Sequence, residues 1–444
     1  MTKNTPRFSC SSCNYKSVKW LGFCPECKEW ETFCEIHQST NKKNNLTKEL
    51  KVTKLSEVTL LSQERLISGI SEWDQVLGGG IMPNSLLVLT GDPGIGKSTL
   101  LLQVCNELAK QYRVLFFSTE ESLAQVKQRA NRLLCTSSYF YFSDSADLQA
   151  IISAAEQEKP EIMIIDSIQN CFIPGAQTLP GSIGQLREAT FQLMRFAKEK
   201  KISIIITGHI TKEGIIAGPK TLEHMVDGVF YLQGEDRWNT RILRAVKNRF
   251  GTINEIGFFQ MQEQGLVPVE NINAHLLNEF SNQPGSALIS IMEGSRPLLI
   301  ELQALTIQSK LNIPQRVISG LDHKQVMLIA AILEKYLKIK LSTHDIFFKI
   351  SGGFKIKGSC LDLGIALALL SSYFQQSIPQ KSIALAEVSL TGQIKPINQI
   401  NRFIKEAEKF NITQIYVAKN QKFEKTLCTI NQFSHIYELL HLFK

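Results

Sequence analysis

The stretch that decides the fold of this chain reads Gly91-Asp92-Pro93-Gly94-Ile95-Gly96-Lys97-Ser98-Thr99. It matches the phosphate-loop pattern G-x-x-x-x-G-K-S/T, which is specific when a strand precedes it and a helix follows. An apolar run at 85–90 precedes it, and apolar residues recur at helical spacing over 99–110. Glycines in such a turn let backbone N–H groups converge on phosphate oxygens, while Lys97 reaches the β- and γ-phosphates and Ser98 ligates Mg²⁺. We expect this loop to bind ATP.

Polar residues end three further apolar runs, each typical of a parallel strand. Asp166 ends one run, where we expect it to hold the water shell of Mg²⁺ at the carboxyl edge of the sheet. Glu120 and Glu121 follow the run at 113–119, and either carboxylate can polarise the attacking water. His209 follows another run and is a candidate γ-phosphate sensor. An Asp or His at a strand end can also be structural, so these roles depend on the phosphate loop nearby.

Length and composition limit the class of protein. The 444 residues are enough for about three domains, and 43% hydrophobic content is typical of a globular protein. The polar start at 1–9 predicts no signal peptide, and no apolar run is long enough for a membrane span. We therefore expect a cytoplasmic protein without membrane partners. The net charge of +8 permits nucleic-acid binding without requiring it.

Four of the ten cysteines form two Cys-x2-Cys pairs separated by ten residues: Cys10, Cys13, Cys24 and Cys27. Each pair turns two thiolates toward one cation, and two pairs complete a tetrahedral Zn²⁺ site. Because all four ligands are thiolates, the predicted site is structural. Cys34 and His37 follow closely but lack this spacing.

The sequence therefore predicts an α/β protein with three folded parts. The polar stretch after residue 38 reads as a linker, and the strand and helix pattern changes near 271. The later part predicts an α+β domain, with a strand pair at 285–303 and helices at 324–337, 359–371 and 399–410. The predicted domains are a zinc finger at 1–38, a linker at 39–53, an ATPase domain with a mostly parallel sheet at 54–271, and the α+β domain at 272–444.

Five motifs occur in this order: the zinc half-site at 24–30, the phosphate loop, the acidic segment at 118–122, the segment Gly-His-Ile-Thr-Lys-Glu-Gly at 208–214, and Lys-Asn-Arg-Phe-Gly at 247–251. On these motifs the chain resembles the RadA (Sms) family of bacterial DNA-repair and recombination ATPases over essentially its whole length. The last pentapeptide is that family's signature. Asn14 is a departure, since the family usually has Gly there, but Asn also tolerates a left-handed turn.

The resemblance implies a zinc finger, a RecA-like ATPase and a Lon-protease-like domain. It also implies a homo-hexameric ring that moves on single-stranded DNA and drives branch migration of recombination intermediates. The implied partners are single-stranded and branched DNA and the RecA recombinase.

Lys247 and Arg249 lie in the signature, within a predicted strand at 241–250. Side chains two apart on a strand face the same way, so the two cations are expected to project together. They can form a solvated sheet edge. In a ring they can instead enter the neighbouring subunit's nucleotide site, as an arginine finger does.

The DNA path has two sets of candidates. One set is the segments 167–184 and 211–222, which leave the catalytic sheet edge. Taken singly, their residues Lys212 and Lys220 are interpreted as ordinary surface lysines, so the candidates are the segments as units. The other set lies in the zinc finger, where three lysines neighbour three aromatics. These aromatics either stack on bases or fill the core of a small domain. The six residues are Lys16, Lys19, Lys28, Trp20, Phe23 and Trp30.

Two rival functions remain. A Lon-type peptidase needs a serine nucleophile and a lysine base; the nucleophile position falls on Ser359 or Cys360, but Asn401 stands where the lysine is expected. We therefore expect no peptidase activity. The other rival is a non-motor nucleotide switch such as a clock-type RecA-fold kinase, which predicts slow hydrolysis indifferent to DNA.

Overall fold

The structure is a computed structural model. For residues 33–35, 209 and 235 it describes the backbone and not the side chain. Its contacts divide the chain into two compact units, Met1–Ser62 and Gln63–Lys444, which are described separately. The residues it describes are 8–11, 13, 15–30, 32–35, 54, 56, 64–175, 179–209, 222–235, 240–278, 280–351 and 356–443.

The first unit contains a three-stranded antiparallel sheet in the order β2-β1-β3. Its core is small: Cys10 and Cys24 are fully buried, with Phe8 and Leu21 packed against them. So few apolar groups do not stabilise a fold without a further crosslink, which a metal can supply. The strands are β1 (Phe8–Cys10), β2 (Lys16–Ser17) and β3 (Phe33–Glu35).

The second unit begins with a nine-stranded sheet in the order β12-β11-β10-β9-β4-β8-β7-β5-β6. The strands from β9 to β6 in that order run parallel, and β10, β11 and β12 add an antiparallel extension. The expected mostly parallel sheet is therefore confirmed. The strands are β4 (Leu86–Gly91), β5 (Val114–Ser118), β6 (Phe140–Ser143), β7 (Ile162–Asp166), β8 (Ser203–His209), β9 (Gly228–Glu235), β10 (Thr240–Asn248), β11 (Ile256–Gln262) and β12 (Gly265–Pro268).

Helices cover both faces of this sheet, because the strands are apolar on both sides. One face packs on the first three helices and the other on the next two. The carboxyl ends of β4, β5, β7 and β8 meet at one edge, so the residues that follow them are brought together. The helices are α1 (Ser71–Val76), α2 (Lys97–Leu108), α3 (Leu123–Arg132), α4 (Leu148–Glu158) and α5 (Ile183–Lys200).

The C-terminal part is an α+β domain, as expected, built on a seven-stranded mixed sheet in the order β15-β16-β14-β13-β17-β20-β21. β18 and β19 form a separate antiparallel pair. The strands are β13 (Ser286–Glu293), β14 (Arg296–Gln308), β15 (Arg316–Ser319), β16 (His344–Ile350), β17 (Ser382–Leu385), β18 (Glu387–Val388), β19 (Ile394–Lys395), β20 (Gln414–Ala418) and β21 (Thr429–Phe433).

The helices of this domain confirm the three predicted helical stretches with small shifts. The stretch at 359–371 starts with a 3-10 turn, Ser359–Leu361, before the α-helix proper. No helix in the described part of the chain has the length and apolar character that crossing a membrane requires. The helices are α6 (Ile272–Asn278), α7 (His323–Leu337), α8 (Asp362–Phe374) and α9 (Ile400–Lys409).

The two large domains share a packed junction. Phe258 of β11 belongs to the same apolar cluster as Leu276 of α6. Beside it, Arg296 of β14 forms an ion pair with Glu72 of α1 at 2.9 Å, and Glu72 is only 3% exposed. The boundary at 271/272 remains a prediction, since residues 63–444 group as one compact unit.

Candidate nucleotide-binding and metal sites

The backbone conformation of the phosphate loop requires glycine at two positions. Gly91 has a φ of 154°, and a Cβ there would lie 2.2 Å from the carbonyl oxygen of Leu232. Gly96 has a φ of 111°, with Met261 Cε 2.9 Å from the corresponding point. The loop closes on the amino end of α2, whose unpaired N–H groups attract anions. The geometry fits a triphosphate.

Lys97 is the cation of this loop and is only 5% exposed. Its Nζ donates to the carbonyl oxygens of Gly91 at 2.9 Å and Asp92 at 3.1 Å. Burial lowers the pKa of Lys97, while the nearby carboxylates of Asp166 and Glu120 act in the opposite direction. The fold thus brings together three of the residues that the sequence proposed for catalysis.

Asp166 ends β7, and its carboxylate is held from the neighbouring strand. Thr207 Oγ1 donates to Asp166 Oδ1 at 2.6 Å, and Asp166 is 8% exposed. Ser98 lies in the first turn of α2, half-buried. A hydroxyl and a carboxylate are the hard oxygen donors that Mg²⁺ prefers, so this donor set fits the ion.

The structure separates the two acids that sequence reasoning left equivalent. Glu121 pairs with Arg129 of α3, with Oε1 and Nη2 2.5 Å apart. Glu120 instead accepts a hydrogen bond from Ser167 Oγ at 2.5 Å, and its charge acts on Lys97. Of the two, Glu120 is therefore the carboxylate that belongs to the phosphate side of the site.

His209 is the last residue of β8, and its backbone pairs with Gly91, as expected for the catalytic edge. Its side chain lies outside the described residues, so its role as a sensor remains a prediction.

Sequence reasoning missed two residues beside the loop. Arg241 Nε donates to the carbonyl oxygen of Ile95 at 3.1 Å. Burial and the charge of Asp92 raise the pKa of Tyr231. Tyr231 lies on β9 and Arg241 on β10. These strands lie beside the loop because β9 pairs with β4, and no local sequence pattern indicates that pairing.

The predicted strand over 241–250 is two residues too long at its end, so Arg249 does not lie on β10 with Lys247. β10 ends at Asn248, its register shifts between Ala245 and Lys247, and Arg249 lies in the turn that follows. The two cations nevertheless lie near one acid. Arg249 Nη1 donates to Asp227 Oδ1 at 2.9 Å, and the charges of Arg249 and Asp227 both act on Lys247.

Lys247 itself is held by backbone carbonyls just before β9. Its Nζ donates to the carbonyl oxygen of Val226 at 2.8 Å and also to that of Glu223. Burial lowers the pKa of Lys247.

These cations lie at the amino edge of the sheet. Gly228 pairs with both Asn248 and Leu87, near the start of β4, whereas the phosphate loop follows the end of β4. At a rise of about 3.3 Å per residue, the length of β4 separates the two edges by about 17 Å. Neither cation is therefore placed at the phosphate loop of its own chain.

The four predicted cysteines converge on one point. Their sulfur atoms all lie within 4.8 Å of one another, with Cys10 and Cys27 3.6 Å apart and Cys13 and Cys24 3.5 Å apart. Metal–sulfur bonds of about 2.3 Å in a tetrahedron give sulfur separations of about 3.8 Å, so the set fits a metal ion. The side chain of Cys34 and all of His37 lie outside the described residues.

Comparisons with known proteins find matches in three parts of the chain. Family models match residues 8–35 (rubredoxin metal binding domain), 53–214 (AAA domain) and 313–421 (subunit ChlI of Mg-chelatase). DNA repair protein RadA of Streptococcus pyogenes is 43% identical over 95% of this chain and 94% of its own length. The Helicobacter pylori RadA is 43% identical over 94% and 95%, and the Listeria monocytogenes RadA 40% identical over 95% and 93%.

This chain belongs to the RadA family of DNA repair proteins. It has an AAA-type ATPase domain and a four-cysteine metal site, which confirms the expected fold class. Among solved structures, a KaiC-like protein of Pyrococcus horikoshii aligns with 46% of this chain over 99% of its own length, at 19% identity and a TM-score of 0.39.

In this RadA family member the aromatics of the metal module lie on its surface. Trp30 is 74% exposed and Trp20 is 55% exposed. The Phe23 ring lies 5.1 Å from that of Trp30. Of the two alternatives left open by the sequence, core filling is therefore wrong for the tryptophans. The lysines at positions 16, 19 and 28 are also exposed.

The C-terminal domain has a cavity at Ser359 and Cys360, the two residues compared above with a peptidase nucleophile. It measures about 340 Å³, and Cys360, Ser359 and Lys357 contribute to its lining. Burial raises the pKa of the Cys360 thiol. Asn401, which stands where the lysine base is expected, donates to Glu424 at 3.1 Å. Lys357, which lines the cavity, carries an amine that the sequence analysis did not consider as a base. The absence of peptidase activity remains a prediction.

Of the two segments expected to contact DNA, 211–221 and 176–178 lie outside the described residues. Lys212 and Lys220 are among them. The described part of the first segment starts at Ser167, directly after the catalytic strand β7.

Proposed function

We propose that this chain is a DNA-dependent ATPase of DNA repair and homologous recombination. It acts as a homo-hexameric ring motor on single-stranded DNA and promotes branch migration of recombination intermediates. The observation that carries the ATPase part is the meeting of Lys97, Asp166 and Glu120 at one sheet edge. The motor, the ring and the RecA recombinase as partner rest on the family resemblance.

Each residue has a role in hydrolysis that its position supports. The loop amides and Lys97 bind the phosphates, for which Lys97 leaves the carbonyls of Gly91 and Asp92. Ser98 and Asp166 hold Mg²⁺, which when bound neutralises phosphate charge. Glu120 orients the attacking water and accepts its proton.

The second proposed component comes from the neighbouring subunit. Arg249 lies at the amino edge and the Lys247 side chain reaches back to it, whereas their own phosphate loop follows the carboxyl end of β4, about 17 Å away along that strand. A ring that packs this edge on the next subunit's carboxyl edge brings both cations to the next triphosphate. Hydrolysis then depends on assembly.

The proposed DNA contacts are the segments 167–184 and 211–222 and the exposed tryptophans and lysines of the metal module, residues 8–35. Exposed tryptophans beside exposed lysines suit stacking on unpaired bases and contact with phosphates. The proposed ion in the module is Zn²⁺, because four thiolates at tetrahedral spacing match its preference.

One experiment tests the function. ATP hydrolysis is measured while single-stranded DNA is titrated, beside a mass measurement of the assembly. The proposal expects hydrolysis to rise with DNA and the mass to equal six chains. Slow hydrolysis indifferent to DNA would favour the nucleotide switch instead.

A casein cleavage assay with ATP tests the peptidase alternative. Cleavage that is abolished by Cys360→Ala would establish a peptidase and contradict our expectation.

A further inference from the structure

A pair of polar residues joins the ends of β5 and β7 behind the nucleotide site. Thr119 N donates to the carbonyl oxygen of Asp166 at 2.8 Å. Ser167 N donates to Thr119 Oγ1 at 2.8 Å, and the same hydroxyl donates to the carbonyl oxygen of Ser167 at 2.8 Å. The Thr119 hydroxyl therefore both donates to and accepts from the backbone of Ser167. These two hydrogen bonds fix that backbone beside Asp166.

The side chain of Ser167 is directed at the proposed general base. Ser167 is fully buried, and its Oγ donates to Glu120 Oε1 at 2.5 Å. Hydrogen bonds to a carboxylate are shorter and stronger than those between neutral groups. Glu120 is itself exposed in the turn after β5, and an exposed carboxylate keeps several rotamers unless a partner selects one.

We infer that Ser167 is a positioning residue for ATP hydrolysis. Its hydroxyl selects the Glu120 rotamer in which the carboxylate faces the Lys97 side of the site. Thr119 holds Ser167 in place for this task. The inference rests on the proposed role of Glu120 as the general base.

The effect should appear in kcat and not in nucleotide binding. A small displacement of a catalytic group costs up to about 100-fold in rate, so Ser167→Ala should lower kcat by about 10- to 100-fold. The phosphates are bound by the loop and Lys97, so the dissociation constant for ATP should change by less than about 2-fold. Unchanged binding also establishes that the variant is folded.

Ser118→Ala is the matched control. Ser118 is likewise a buried serine at the end of β5, but its Oγ accepts from Glu121 N at 3.3 Å instead of donating to Glu120. Its kcat should stay within about 2-fold of the parent, as for substitutions away from the reacting groups.

A double-mutant cycle separates positioning from a general structural effect. Once Glu120→Gln has removed the base, Ser167→Ala should lower kcat no further, because the two residues act as one unit. If Ser167→Ala lowers kcat by the same factor with and without Glu120, or leaves it unchanged in the parent, the inference is wrong. If Glu120→Gln itself retains full activity, the proposed base is wrong instead.

Discussion

Arg249→Ala tests whether one chain completes the nucleotide site of another. The Arg249 side chain is 48% exposed and pairs with Asp227 at 2.9 Å. Asp227 is only 8% exposed, but its other oxygen still accepts from Leu86 N at 3.1 Å, so loss of Arg249 should cost about 1–3 kcal/mol, too little to unfold a domain of typical stability. Removal of an arginine finger, in contrast, lowers kcat by about 10³-fold or more. We therefore expect DNA-stimulated turnover to fall by that factor, while ATP binding to Gly91 and the rest of its loop is unchanged.

Mixing variants then decides between action within a chain and across subunits. Arg249→Ala chains keep Lys97, and Lys97→Ala chains keep Arg249. In rings assembled at random from equal amounts of the two variants, with one neighbour contact per site, about a quarter of the sites combine both residues. About a quarter of the parent turnover should therefore return. Turnover and native mass spectra are measured on the same mixtures.

The control mixes Lys97→Ala chains with chains that carry both substitutions. No site in those rings has Lys97, so no activity should return. If the first mixture contains mixed rings and stays as inactive as its components, Arg249 acts within its own chain and the trans mechanism is refuted.

Three further outcomes are expected. Asp166→Asn should lower kcat by about 100-fold or more, because it removes the charge at the proposed Mg²⁺ site; a steady-state ATPase assay with normal turnover would contradict this. Cys10→Ser should remove the single bound metal per chain, which elemental analysis measures; a wild-type protein without zinc would reject the zinc assignment. Arg296→Met should destabilise residues 63–444 by about 3 kcal/mol, because it leaves the buried Glu72 without its cation. Urea unfolding measures this loss, with Lys110→Ala as the control. That variant removes the exposed ion pair with Glu107 and should lower the free energy of unfolding by less than about 1 kcal/mol. Equal losses in the two variants would show that the Arg296 pair contributes no more stability than an exposed one.

The sequence predicts those parts of the site that depend on local pattern. The phosphate loop is one continuous turn between a strand and a helix, and Asp166 ends an apolar strand that periodicity identifies. The carboxyl ends of parallel strands share an edge, so their meeting also follows from sequence.

Contacts between distant parts of the chain could not be predicted. Ser167 and Glu120 are 47 residues apart, and Arg241 and Ile95 are 146 apart. Neither pair has a local pattern. The strand predicted to run to 250 ends at Asn248, because a turn that strand periodicity does not mark begins at Arg249.

The two edges of the parallel sheet carry complementary halves of the proposed hydrolysis site. The carboxyl edge presents Lys97, Asp166 and Glu120, and the amino edge presents Lys247 and Arg249. Groups at opposite edges of one sheet cannot meet within a chain, but they meet when copies pack head to tail, and such a contact can close into a ring. Under the proposed function, a single chain binds ATP with its own loop and hydrolyses it rapidly only beside a neighbour. Assembly around DNA would then itself be the step that completes the catalytic site.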